Sequence, residues 1–160
     1  MGSDIDEAVR LVYSTTRNVL IREYTTIHDS EIGDGCRIYE RCSIKKSYVS
    51  EEVDINAGSY VENAEIGPKV QIGPNCSVVG VTHELRDQGM VFRDDIFERV
   101  ILHDRVFVGA NAVLGPGVEI GSGSVIAAGA TVTQDIDSGM IVLGSPPGQQ
   151  IEELDDWIGD

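Results

Sequence analysis

From Leu102 onward every sixth residue of the chain is aliphatic: Leu102, Val108, Leu114, Ile120, Ile126 and Val132. Four residues behind each stands a small or β-branched one, namely Val106, Ala112, Val118, Ser124, Ala130 and Ile136. Gly109, Gly115, Gly121 and Ala127 directly follow the middle aliphatics. A period of six fits neither a 3.6-residue helix nor a two-residue strand. It fits a short extended side followed by a tight corner, with glycine where the corner needs unusual dihedrals. Three such sides close a triangular coil, so the pattern predicts a β-solenoid.

The N-terminal half repeats the pattern with slips. Leu20, Thr26, Ile32, Ile38 and Ile44 are six apart; the frame then resets by one residue at Val49, Ile55 and Val61, and again at Ile66, Ile72 and Val78. Cys36, Cys42 and Cys76 each fall four residues after an aliphatic one, at the small inward position, where a free thiol packs like a small hydrophobe and needs no chemistry. The solenoid is predicted over residues 20–148 of a single 160-residue domain. Residues 1–18 are predicted as a capping helix, with Ile5, Val9, Val12 and Thr16 at helical spacing behind Ser3 and Asp4. Residues 149–160 are predicted as an acidic helix or tail, with Trp157 a packing anchor rather than part of a site.

The frame fails between Val78 and Leu102. Residues 83–99 are rich in charge, and Glu84 stands where an inward aliphatic is due, although Met90 and Ile96 keep the frame. The segment reads as a loop extruded from the wall, and long excursions from compact repeats are usually functional. His83 sits at its root. His28 and His103 each directly follow an inward residue and read as structural, too isolated to hold a metal.

Charge narrows the partners. The formal net charge is −15, with 27 acids set against three lysines (Lys45, Lys46, Lys69) and nine arginines. Nucleic acid and anionic membranes would be repelled. An acid-rich, lysine-poor surface is that of a protein kept hydrated at high salt, so a halophilic setting is expected. The first residues have neither a basic nor an apolar signal-peptide region, and no apolar run approaches membrane-spanning length, so a cytoplasmic protein is expected.

The stretch from Ile72 to His83, I-G-P-N-C-S-V-V-G-V-T-H, resembles the segment ending at the catalytic histidine of galactoside, maltose and xenobiotic O-acetyltransferases. Val106–Val118 resembles that family's V-W-I-G-x-x-A-V-I-x-P-G-V; Gly129–Asp135 and Gly144–Pro147 resemble its closing motifs. The resemblance spans roughly residues 20–150. It implies an all-β, left-handed parallel β-helix assembled as a homotrimer, with sites in grooves between neighbouring subunits. It also implies acetyl-CoA as acyl donor and the hydroxyl of a sugar-like molecule as acceptor, with His83 as general base in direct transfer. By the same carry-over, the donor would meet Phe107, a backbone N–H at Gly109 or Ala110, and Ala128, Thr133 and Gln134; Asn56 and Glu62 would contact the acceptor. Read as plain solenoid residues, Asn56 and Glu62 are corner and surface polar groups, and both readings stay open.

Three positions depart from the pattern. Phe107 replaces a tryptophan, Gln134 replaces the lysine of V-T-K-D, and Gly148 replaces the lysine after the closing motif, so fewer cations are available for the phosphates of CoA. A non-catalytic solenoid scaffold is the alternative, and it would have no use for the His83 context. The γ-class carbonic anhydrases share the solenoid, but His28, His83 and His103 do not match their clustered zinc ligands.

Overall fold

The computed structural model describes residues 2–12 and 14–159. They form a left-handed three-sided β-helix. Sheet A runs from Asp4–Ile5 through Leu20–Ile21, Arg37–Ile38, Asp54–Ile55, Gln71–Ile72, Phe107–Val108 and Val125–Ile126 to Met140–Leu143. Sheet B stacks Arg10–Val12, Thr26–His28, Ser43–Lys45, Tyr60–Glu62, Ser77–Val79, Val113–Leu114 and Thr131–Val132. Sheet C stacks Thr15–Thr16, Glu31–Ile32, Tyr48–Val49, Ala64–Ile66, Val100–Leu102 and Glu119–Ile120. Neighbours within these stacks pair in parallel, one coil to the next.

The core is a set of like-on-like columns. Ile38, Ile55, Ile72 and Val108 are successive register partners in sheet A, and each is wholly buried. The three cysteines occupy the inward corner positions expected of them and are free thiols. Their corners are pegged across coils by side-chain oxygens: the Cys42 N–H donates to Thr25 Oγ1 (3.3 Å) and the Cys76 N–H to Ser59 Oγ (3.2 Å).

The slips have one cause. In sheets A and B the inward residues of the early coils are Ile21, Ile27, Ile38 and Ile44, whereas the steps into sheet C, Ile27 to Ile32, Ile44 to Val49 and Val61 to Ile66, are one residue short. The shortfall always falls at the B–C corner. Asp29, Lys46 and Asn63 turn this corner at φ near +50°, a conformation that Asp and Asn tolerate better than most residues. Serines behind them tie the coils: the Ser47 N–H donates to Ser30 Oγ (3.1 Å) and the Ala64 N–H to Ser47 Oγ (3.1 Å). The inward columns expected at Leu20 and Thr26 lie one residue later, at the buried Ile21 and Ile27.

Both ends correct the sequence reading. Residues 1–18 hold no helix where described: Asp4–Ile5, Arg10–Val12 and Thr15–Thr16 are strands of a first coil, with Ile5 opposite Ile21, Leu11 opposite Ile27 and Thr16 opposite Ile32. The segment is rich in β-branched residues, and the next coil offers it an unpaired edge, so pairing overrides helical spacing. At the far end Gln150–Glu153 returns antiparallel to Met140–Leu143, and the predicted terminal helix is confined to Leu154–Gly159. That helix buries none of its residues, and Trp157 remains 49% exposed rather than anchored in the core.

Candidate active site

The extruded segment is a β-hairpin. Val81–Arg86 pairs antiparallel with Gly89–Phe97, springing from the B–C corner of the fifth coil. Its root is closed by backbone: the Gly80 N–H donates to Glu62 O (2.8 Å) and the Glu98 N–H to Gly80 O (2.9 Å). A Cβ on Gly80 would lie 2.3 Å from Asn63 O, so only glycine lets the chain leave the wall there. Lys46, on the corner two coils earlier, places its Nζ 4.2 Å from the centre of the Phe97 ring and steadies the returning strand.

His83 stands two residues up this hairpin, opposite Asp95 in register, with its Nδ1 3.2 Å from Asp95 Oδ1. A carboxylate at Nδ1 holds the proton on that nitrogen and leaves Nε2 as the acceptor for a substrate proton. Sequence reasoning did not single out Asp95. Counted back from the hairpin tip, the register that brings it to His83 passes a bulge between His83 and Leu85, and no sequence period marks it.

The other expected residues divide between two edges of the prism. Asn56, Gly109, Ala110 and Ala128 lie on A–B corners, and Phe107 projects from sheet A beside them, 41% exposed. Thr133 and Gln134 follow the last strand of sheet B, on the same B–C edge as the hairpin. Asn56 Nδ2 donates to Ile72 O (2.8 Å), pegging its corner to the next coil. Glu62, in the middle of sheet B, accepts a short hydrogen bond from the Tyr60 hydroxyl. Burial, that bond and the charge of Glu62 together push Tyr60 up to about 12. His103 is paired through Nε2 with Glu119 (2.6 Å) at the surface. No three His, Cys, Asp or Glu residues gather as a metal cage among the described residues.

Two family models match the chain: bacterial transferase hexapeptide (six repeats) over residues 99–134, and GlmU-like, C-terminal hexapeptide over residues 21–86. Bifunctional protein GlmU of Clostridium tetani is 29% identical over 130 residues, which make up 81% of this chain and 26% of that protein. The GlmU of a Picosynechococcus strain is 29% identical over 158 residues, 94% of this chain and 33% of its own length, so the chain spans a third or less of these relatives. Among solved structures, the polySia specific acetyltransferase NeuO aligns with a TM-score of 0.63 at 24% identity, covering 94% of this chain and 73% of that one. AntD, an N-acyltransferase from Bacillus cereus held with dTDP-4-amino-4,6-dideoxyglucose and coenzyme A, aligns with a TM-score of 0.62 at 17% identity, covering 98% and 87%. At these identities the likeness to solved structures is one of fold. Joined to the period-six core and to hexapeptide-repeat models on both halves of the solenoid, it gives the chain the left-handed β-helix fold of hexapeptide-repeat proteins.

Proposed function

We propose that the chain is an acyl-CoA-dependent acyltransferase that moves an acetyl group onto a sugar hydroxyl, with His83 as the base. The observation that carries this reading is the His83–Asp95 pair at the root of the one hairpin that leaves the wall among the described residues. Proton removal by His83 Nε2 lets the acceptor oxygen attack the thioester carbonyl; collapse of the tetrahedral adduct expels the CoA thiolate, which takes up a proton. NeuO and AntD, similar in fold, support acyl transfer as the reaction class.

The donor would lie along the A–B corners, with Phe107 as a flat wall and Ala128 beneath. Gly109 spends its N–H on Ile126 O at 2.7 Å, which leaves the Ala110 N–H of that pair for the oxyanion. Thr133 and Gln134 would line the part of the groove nearer the hairpin. One face of the prism takes about six residues, so its edges stand roughly 15–20 Å apart at about 3.3 Å per residue. A thioester cannot meet His83 on one edge and Ala110 on the other within a single chain. The reading therefore requires neighbouring copies, and a homotrimer in which each groove takes one edge from each copy meets the need. The hairpin suits such a contact, because Leu85 (76%), Met90 (51%) and Phe92 (73%) are exposed apolar side chains.

The test is thiol release from acetyl-CoA with a saccharide panel. His83→Ala is expected to lower the rate at least about 100-fold, the scale of a lost general base. An unaffected variant would remove His83 from the mechanism. Absence of CoA binding by calorimetry in high salt would favour a non-catalytic scaffold.

A further inference from the structure

The two ends of the solenoid are built differently. At the C-terminal end Gln150–Glu153 returns along the free edge of Met140–Leu143, and Gln149 Nε2 donates to Thr131 O (2.7 Å) on the last strand of sheet B. At the N-terminal end Asp4–Ile5, Arg10–Val12 and Thr15–Thr16 are the outermost strands of sheets A, B and C, and no described residue pairs with their far side. Three strand edges therefore lie open together, a feature that proteins otherwise cover or pair.

Backbone and side chain present themselves there at the same residues. The Asp4 and Asp6 N–H groups donate into the stack, to Val19 O (2.7 Å) and Ile21 O (3.0 Å). Successive residues of a strand bond to opposite sides, so the peptide groups of Ile5 between them face the open end. The bonds from the Arg10 N–H to Thr25 O (2.9 Å) and from the Thr15 N–H to Ser30 O (3.0 Å) fix Leu11 and Thr16 in the same way. Each side of the triangle thus offers one donor and one acceptor. Ile5 and Leu11 are also inward residues by register, opposite Ile21 and Ile27. Those partners are 0% exposed, whereas Ile5 is 37% and Leu11 39% exposed, because no coil lies over them.

Charge and symmetry say what covers this end. Up to Arg22 the sequence carries three acids (Asp4, Asp6, Glu7) and three arginines (Arg10, Arg17, Arg22), a neutral stretch in a chain of net charge −15. Arg22 Nη1 reaches Asp4 at 3.4 Å and Asp6 at 3.3 Å. Copies that repel one another along the rest of the solenoid would not do so here. Head-to-tail stacking is closed off, since Gln150–Glu153 and Leu154–Gly159 cover the far end and carry four acids (Glu152, Glu153, Asp155, Asp156). A twofold contact between two first coils uses both open ends and cannot run on into a fibre. With the axis through side C every strand pair is antiparallel. Ile5 then faces the second copy's Leu11, and Asp6 faces the second copy's Arg10, an opposite-charge cross-strand pair. An axis through side A would instead set Asp4 against the second copy's Asp6, like charges directly opposite.

We infer that the first coil is a docking surface for a second copy of this chain, the two joined head to head by antiparallel pairing of their open strand edges. A single triangular end with sides of roughly 15–20 Å covers only about 150 Å² in cross-section, so two lone prisms would associate weakly. The homotrimer proposed above would present three such ends at once, and contacts made together reinforce one another. The number of copies rests on that reading; the head-to-head contact does not.

The mass of the full chain would be measured by analytical sedimentation in high salt over a dilution series. Wild type is expected as a six-copy species that falls to three copies on dilution. Arg10→Glu and Leu11→Asp should each halve the mass at all concentrations, and Trp157→Ala, at the other end, should leave it unchanged. Arg10 is exposed, so its substitution spares the core. Hydrogen exchange of wild type needs no variant: the amides of Ile5, Leu11 and Thr16 should slow at least about tenfold from dilute to concentrated protein. A three-copy wild type at all concentrations, exchange at those amides independent of concentration, or a mass halved by Trp157→Ala would each overturn the proposal and leave the homotrimer standing. A two-copy species that Arg10→Glu splits into single chains would uphold the head-to-head contact and remove the homotrimer instead. Single chains at all concentrations would overturn both.

Discussion

At the residue scale, His83 and Asp95 form a pair whose parts can be separated. Both side chains are about half exposed, so Asp95 acts by orienting the ring rather than through a desolvated charge. Asp95→Asn is expected to lower kcat, by less than the roughly 10⁴-fold that a buried orienting aspartate supplies, while leaving the acceptor KM nearly unchanged, with Asp95→Glu restoring much of the rate. A variant that changed only KM would mean that Asp95 touches the acceptor instead. The cysteines make a different case. Burial is the largest cause pushing Cys36 and Cys42 up to about 11, from an ordinary value of 9.0. A thiol whose folded value is raised contributes stability that is whole below pH 9.0 and is lost as pH climbs through about 11. Melting temperature should fall over that interval, and the double variant Cys36→Ala, Cys42→Ala should show a shallower fall than wild type. Tyr60, pushed up to about 12, adds a decline in the same direction that the double variant retains.

At the element scale the hairpin root depends on Gly80. Adding a methyl group there would press on the backbone oxygens of Asn63, Glu62 and Glu98 at 3.0 Å or less. Gly80→Ala should cost about 1–3 kcal/mol of stability by overpacking and lower acyl transfer by tilting His83; an unchanged melting curve in urea would show that the root tolerates the shift. What the sequence revealed follows from the same physics. Leu102 to Val132 was legible because each inward residue meets its like one coil away, so the period appears directly in the letters. The early coils blurred, since the B–C corner at Asp29, Lys46 and Asn63 is one residue shorter than the other two and has no glycine to mark it. The first coil resembles a helix in its letters because five- and six-residue steps, sampled over a short segment, also place apolar residues at helical spacing. His83 could be found from the broken frame, but Asp95 could not, since its partner is chosen by hairpin register.

At the scale of the whole molecule, the net charge of −15 is laid out along the solenoid rather than gathered at a point. On the outer face of sheet C, Glu31, Tyr48, Glu65, Ile101 and Glu119 follow one another as register partners from coil to coil. Strands in a sheet are about 4.8 Å apart, so acids on alternate coils repeat at roughly 10 Å. That spacing equals the screening length at about 0.1 M salt, whereas at 1 M the length shrinks to about 3 Å. Repulsion along the column therefore acts at low salt and is largely removed at high salt. The cations do little to offset it: Arg99 reaches Glu65 only at 3.9 Å, and both side chains are more than half exposed. Melting temperature should rise steadily between about 0.1 M and 2 M sodium chloride, and Glu65→Gln should rise less, because one source of repulsion has been taken out in advance. A melting temperature that stays level or falls with added chloride would show that the acidic surface is not what limits stability. A rise in sulfate alone would point instead to exclusion of the salt from apolar surface. Chloride, which screens charge without that strong exclusion, is accordingly the salt in which a high-salt adaptation of this surface has to appear.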